Sequence, residues 1–406
     1  MPNTTQYAYK VKDGNGRFVQ GKVDAVSEAA VAEKLKAMGY VPLDVRQVNA
    51  GLQREVKFGR KKRIKLKDLA VFSRQFATMI DAGLTMLRGL TILSDQVDNL
   101  ELRKVLKAVK QDVEGGMSIS ASFAKVPDVF PPLMVNMTRA GEAGGFLDVT
   151  MRQIADNFEA EVRLRGKIKA ALTYPVVVFV LAIVMCMGML VFVVPVFKSM
   201  FEGLGGELPL PTQVLVFLSE SMRFMLPGII VACFAVVWWW RKYGRTERVR
   251  NVVDPLKLKL PVFGKLAQKL ALARFSRNLS TLLSSGVPIL QSLDIVSETT
   301  GSVVISRALK QVQESVRRGD SVAGPLGEHP VFPTMVVQMI ASGEETGAID
   351  AMLAKIAQFY DEEVEATTEA LTALIEPLMI AFLGGIVGSM FIALYLPIFK
   401  IFDLIG

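Results

Sequence analysis

Three carboxylates hold the positions from which this chain could do chemistry. Glu142 lies in AGEAGGFLD (residues 140 to 148) and Glu344 in SGEETGAID (342 to 350), two stretches that share Gly-Glu-x-x-Gly, an apolar residue and Asp. Gly144 and Gly145 fall where a helix should stop, since helices commonly end in a left-handed conformation that glycine adopts freely. Asp148 then sits in the first turn of the next helix, where negative charge suits the dipole, while Glu142 and Glu344 sit near a helix C-terminus, where it does not. Arg139 is a local compensator for Glu142, but Ala341 and Ser342 offer nothing similar to Glu344. Two readings follow: a surface glutamate at a helix-turn-helix corner, or a contact to a cation or to a partner's basic residue. The third carboxylate, Glu376, opens an apolar run, where a charge is costly unless it reaches the interface, finds a partner or faces a polar cavity.

Catalytic constellations are missing. Cys186 and Cys233 lie inside apolar runs and His329 is the single histidine, so neither a zinc site nor a disulfide is expected. No GxxxxGK[ST], HExxH, GxSxG or CxxC occurs, and the apolar runs contain no aspartate pair. ATP hydrolysis by P-loop chemistry is thereby excluded, and no enzyme activity and no cofactor are expected.

The elements that position the two acidic corners belong to an internal duplication. Leu147, Met151, Ile154, Phe158 and Val162 recur as Ile349, Leu353, Ile356, Tyr360 and Val364, shifted by 202 residues and spaced as one face of a helix. Upstream, Phe72, Arg74, Gly83, Leu87 and Gly116 recur as Phe275, Arg277, Gly286, Leu290 and Gly319, shifted by 203. The period is too long for a solenoid, so each copy is a domain. Gly83 and Gly286, in AGLTML and SGVPIL, mark matched turns between helices.

Charged residues vanish over Ala170–Phe197, Phe224–Trp240 and Pro377–Phe399. At about 1.5 Å per residue the first and third runs cross the roughly 30 Å of bilayer hydrocarbon, and PTQVLVFLSESM extends the second. Trp238, Trp239 and Tyr243 close that run with interfacial aromatics. Arg163, Arg165, Lys167 and Lys169 precede the first run, and Arg241, Lys242, Arg245, Arg248 and Arg250 follow the second. The positive-inside rule therefore makes the N-terminus and the central segment cytoplasmic. The net charge of +8 is concentrated beside the spans, which points to lipid headgroups rather than to nucleic acid. With no apolar run near Met1, no cleavable signal peptide is expected.

The expected fold is mainly α: a polytopic membrane protein with two homologous cytoplasmic helical bundles and three transmembrane helices, plus a small N-terminal α/β module. In order, the layout is an α/β module (1–48: a hairpin turning at DGNG, a helix from Ser27 to Gly39 and a third strand), a basic linker (49–65) and bundle 1 (66–169). Then come span 1 (170–198), an external loop (199–211), span 2 (212–241), a basic connector (242–265), bundle 2 (266–370), span 3 (371–399) and a short external tail (400–406). Each bundle should hold about six short helices. Gly384, Gly385 and Gly388 give span 3 a small-residue face for close packing, within one chain or between chains.

This order, with KIKAALTYPVVV (167–178) leading into the first span and Val193, Val194 and Pro195 near its far end, resembles the inner-membrane platform proteins of type IV pili and type II secretion systems, the PilC and GspF family. Tyr174 and Pro175 carry the most specific part of the likeness; in the second copy Glu376 and Pro377 stand in their place. The resemblance covers essentially the whole chain. It implies a non-enzymatic scaffold in the bacterial inner membrane that couples a cytoplasmic hexameric P-loop ATPase to insertion or extraction of pilins or pseudopilins. Inner-membrane alignment proteins and further copies of the chain are its other implied partners. Under it Gly83 and Gly286 become candidates for an ATPase-facing surface, Glu142, Gly145, Glu344 and Gly347 for a partner contact or a structural corner, and Glu376 for receiving a pilin N-terminal amine. A transporter or channel subunit is the alternative, since transporters are also built from repeats; three spans per chain would then require an oligomeric pathway.

Overall fold

The chain divides after Lys62 into two units, and a computed structural model describes residues 5–12, 18–47, 63–202, 208–244, 246–261 and 263–405. In the first unit, strands β1 (Thr5–Lys12), β2 (Phe18–Ala25) and β3 (Val41–Gln47) form an antiparallel sheet of order β2-β1-β3. Helix α1 (Glu28–Ala37) starts at Ser27, whose hydroxyl accepts from the Ala30 amide at 3.3 Å, the usual way of satisfying an orphan donor. Tyr7, Val11, Val31 and Leu35 are buried between helix and sheet. The DGNG turn and nearly all of the expected linker lie outside the described residues.

In the second unit the two copies repeat element by element. Copy 1 contains α2 (Leu66–Asp81), α3 (Met86–Gln96), α4 (Leu100–Glu114), α5 (Ile119–Ala124), α6 (Pro132–Gly144) and α7 (Leu147–Gly188). A π turn at Met189–Val193 leads from α7 into α8 (Val194–Glu202), and α9 (Leu210–Tyr243) follows. The expected basic connector contains a helix, α10 (Glu247–Lys259), whose buried Asp254 sits 3.4 Å from the Val303 amide. Pro255 and the many charges disguise it in the sequence, yet Pro255 is accommodated inside the helix. Copy 2 contains α11 (Phe263–Ser284), α12 (Ile289–Thr299), α13 (Val303–Arg317), α14 (Ala323–Gly327), α15 (Thr334–Thr346) and α16 (Ile349–Ile405).

One hydrophobic core runs through both bundles. In bundle 1 it is built around Phe72, Phe76, Phe123 and Phe130, the last two stacked at 4.1 Å between centroids. In bundle 2, Phe275 and Phe332 meet edge to face at 5.3 Å, with Leu279 and Leu326 buried beside them.

The last helix of each bundle does not stop where the apolar run begins. Helix α7 is 42 residues long and α16 is 57, and both pass without a break through an internal proline, Pro175 and Pro377. Among the described residues, 147–201 and 349–397 contain stretches long and apolar enough to cross a membrane. The two helices run side by side in one direction: Lys167 pairs with Glu365 at 2.5 Å, and the Phe179 and Phe382 rings lie 6.4 Å apart. Helix α9 packs against the π turn and α8 that continue α7 and against α16, with Leu190, Val194, Val216, Met390 and Leu394 buried among them. Its Thr212 hydroxyl donates to the Ala393 carbonyl at 2.5 Å and its Ser219 hydroxyl to the Leu190 carbonyl.

Candidate functional site

The paired corners form as the sequence suggests, but their glutamates turn inward. Helix α6 ends at Gly145 (φ 76°) and α15 at Gly347 (φ 69°), both left-handed. The amides of Phe146 and Ala348 reach back to the carbonyls of Gly141 and Gly343 at 3.0 and 2.8 Å. Glu142 accepts from the amides of Ile119 and Ser120 at 2.5 and 3.1 Å and from the Ser120 hydroxyl. Glu344 accepts from the amides of Val322 and Ala323 at 2.7 and 3.2 Å. Each carboxylate thus satisfies orphan donors at the start of a short helix, α5 or α14, where negative charge is favoured. Both side chains are half-buried caps of the corner, in place of the surface glutamate of the first reading. Arg139 is not the compensator of Glu142; it donates to Asn136 at 3.0 Å. Among the described residues, no cluster of three or more His, Cys, Asp or Glu converges as metal ligands.

The glycine before each glutamate matters as much, and pattern reading passes over it. A Cβ on Gly141 would lie 2.5 Å from the Thr150 hydroxyl oxygen and 3.2 Å from the Leu147 Cα. On Gly343 it would lie 2.9 Å from the Ile349 Cα. Both contacts are too close for a side chain, so these glycines let the consecutive helices cross at short range.

A second repeated device stands beside the corners. Arg74 holds Glu159 in a two-pronged pair, at 2.7 Å through Nε and 2.8 Å through a terminal nitrogen, and also contacts Asp156. The hydrogen bond from Arg74 holds the Glu159 carboxyl below the usual carboxylate range despite the opposing effect of desolvation. Arg277 holds Asp361 in the same place of copy 2. Both arginines were visible as repeats; their acidic partners recur at the same offset but change type, which hides them.

A buried charge joins the copies. Glu161 on α7 lies 2.8 Å from Arg274 and 3.8 Å from Arg277 of α11, and 2.6 Å from Arg165 of its own helix. Burial pushes the Glu161 carboxyl up, but Arg274 and Arg165 outweigh it and hold it below the ordinary value. Around it, the Asn157 amide donates to Asn278 and Thr281, both at 3.2 Å, Gln153 accepts from Ser285, and Gln291 donates to Asn136 at 3.0 Å. Nothing in the sequence pairs Glu161 with residues more than a hundred positions away.

The remaining candidates are spread along the helices. Gly83 (φ 82°) and Gly286 (φ 72°) make matched exposed turns, and a Cβ at either would meet nothing within 4 Å. Tyr174 is exposed and Pro175 buried on α7, while Glu376 and Pro377 are both exposed on α16. No hydrogen bond or ion pair joins the Glu376 side chain to another described residue. Among the described residues nothing lies within 4 Å of a Cβ at Gly384, Gly385 or Gly388, so no described helix uses that face for close approach.

A family profile described as type II secretion system (T2SS), protein F, matches residues 72–195 and again 275–397, and the N-terminal domain profile of the same protein matches residues 1–46. The chain is 45% identical to a type IV pilus assembly protein PilC of Thermus thermophilus, over 97% of this chain and 98% of the relative. It is 43% identical to a protein of the same description from Myxococcus xanthus, over 98% of this chain and 95% of the relative. It is also 32% identical to a type II secretion system protein F of Vibrio cholerae, over 98% of this chain and 99% of the relative.

Proposed function

Since the chain belongs to the type II secretion system protein F family, we infer that it is an inner-membrane platform protein of a type IV pilus or type II secretion machine. The observation that carries this reading is likeness over nearly the full length to proteins of both machines, with the family profile falling on each copy of the duplication. In this reading α9 is the middle one of three spans, and the N-terminus, both bundles and α10 are cytoplasmic. The lysines and arginines at the bundle ends of α7 and α9 support that orientation.

The work assigned to the platform is transmission. A cytoplasmic hexameric ATPase would act on the bundles, and pilins or pseudopilins would be received at the spans, with alignment proteins of the inner membrane holding the assembly in place. The unbroken passage of α7 and α16 from bundle to apolar stretch supports this, because a helix with no turn between motor side and membrane side passes a displacement along its axis. Glu376, exposed and with no side-chain partner among the described residues, is assigned to the N-terminal amine of an incoming pilin, whose charge would offset the cost of a carboxylate near the membrane.

The test is recovery of the tagged full-length protein from mild detergent extracts of its host, with mass spectrometry of its companions. A P-loop ATPase together with prepilin-like proteins is the expected result, and the kind of pilin identifies the machine. Neither companion on a folded protein, together with solute flux in liposomes, would replace the platform with a transporter.

A further inference from the structure

The bundles of one chain meet head to tail: copy 1 presents α6 and α7, and copy 2 receives them on α11 and α12 through the Gln153, Asn157, Glu161 and Asn136 contacts described above. Two surfaces equivalent to these are left over. The receiving face of copy 1, on α2 and α3, is open: Val71 is 47% exposed and Met86 41%. The presenting face of copy 2, on α15 and α16, is open too: Phe359, which stands where copy 1 has the buried Asn157, is 41% exposed.

We propose that the α2–α3 face of one copy of this chain receives the α15–α16 face of a second copy, repeating between chains the interface that joins its own two bundles. Charge supports this occupant. Shifting the intrachain contacts by the repeat offset places Glu363 where Glu161 is, but Val71 and Arg74 where Arg274 and Arg277 are, and Glu363 and Arg74 already pair with Lys269 and Glu159 within the chain; complementary charge comes from two further contacts. Gln153 and Ser284 become Lys355 and Asp81. Ala143 and Gln291, which line one cavity between the bundles, become Glu345 and Arg88. Both substituted pairs are of opposite sign, although the residues differ from those within the chain; Asp81 also lies 2.8 Å from Arg152 of its own chain. Exposed apolar side chains (Phe359, Val71, Met86) supply the area that complementary charge alone does not.

Geometry permits the repetition. The relation that carries bundle 1 onto bundle 2 leaves α7 and α16 side by side in one direction and at one level, as the Lys167–Glu365 and Phe179–Phe382 contacts require. Applied again between chains, it keeps the spans in the same sheet of membrane. Such a contact is heterologous and not two-fold, so it adds copies around a ring or arc.

The experiment joins two differently tagged full-length chains, both carrying Cys186→Ser and Cys233→Ser, one with Ala82→Cys and the other with Lys355→Cys. They are co-produced in the membrane and treated with a short thiol-specific bifunctional cross-linker. A product bearing both tags can arise only between chains. It is expected to exceed the products of Ala82→Cys with itself and of Lys355→Cys with itself several-fold. Absence of the mixed product from chains that are folded in the membrane overturns the proposal, as does dominance of either same-residue product, which would mean a two-fold contact. In the same assay Glu345→Arg should lower the mixed yield several-fold and Arg88→Glu in the receiving chain should restore it. A yield unmoved by the first change, or lost and not restored by the second, counts against this face.

Discussion

Bundle 1 and bundle 2 keep the same corners but differ in what fills and covers them. Both retain the left-handed glycines, the inward glutamate and the arginine–acid pair, whereas the four-phenylalanine core of bundle 1 becomes two phenylalanines and two leucines in bundle 2. What survives duplication is what sets backbone direction; side-chain volume is exchanged freely as long as the space is filled. The buried charge differs most. Glu161 is almost enclosed, whereas its counterpart Glu363 pairs with Lys269 at 2.5 Å with both side chains partly open to solvent. Equivalent positions therefore carry unequal burdens.

That inequality can be broken directly. Glu161→Gln leaves Arg274 without its buried partner and should destabilise the chain by about 3 kcal/mol, whereas Glu363→Gln should cost about 0.5 kcal/mol; thermal unfolding in detergent measures both, and equal losses would erase the distinction. Acid should act at the same place. A carboxyl held below its unfolded value stabilises above that value and loses the contribution as pH falls through the folded one, so the junction of the bundles should weaken as pH drops below about 4.3. Protection of α11 amides from hydrogen exchange, followed across that range, reports it, and Glu161→Gln should flatten the profile.

The glycine corners should respond next. Gly343→Ala drives a methyl against the Ile349 backbone and should cost about 2 kcal/mol. Gly141→Ala meets the buried Thr150 Cβ at 2.9 Å and the Leu147 Cα at 3.2 Å and should cost about as much by the same measurement. Gly83→Ala and Gly286→Ala carry only the left-handed penalty, about 1 kcal/mol each, and should match. Smallest is Ser120→Ala, which converts the first glutamate cap into the second; about 0.5 kcal/mol is expected, and an unfolding temperature unchanged from the parent would make the Ser120 hydroxyl idle.

The sequence made the duplication, the helical bundles and the glycine corners legible because each leaves a local mark: an offset, a period, a helix stop. It could not make the caps legible. Glu142 looked badly placed because the amides it satisfies are more than twenty residues upstream, on a helix of six residues too short to show a period. Gly141 and Gly343 sit inside helices, where a glycine reads as a blemish until the next helix is seen crossing over it. Glu161 was hidden for the opposite reason: its helix face was evident, but its partners belong to the other copy, and an offset relates equivalents without showing which of them touch. Among the described residues two stretches pass the test of length and apolarity that the sequence suggested for three.

The 57 residues of α16 have a mechanical consequence. At about 1.5 Å per residue the helix is a rod of about 85 Å, of which about 33 Å precede Leu371, the expected start of its apolar part, and about 52 Å follow it. A rigid rod tilting about the membrane surface would then be geared: each ångström of sideways travel at the bundle end becomes about 1.6 Å at the outer end, with force reduced in the same ratio. A platform of this shape would favour stroke over thrust.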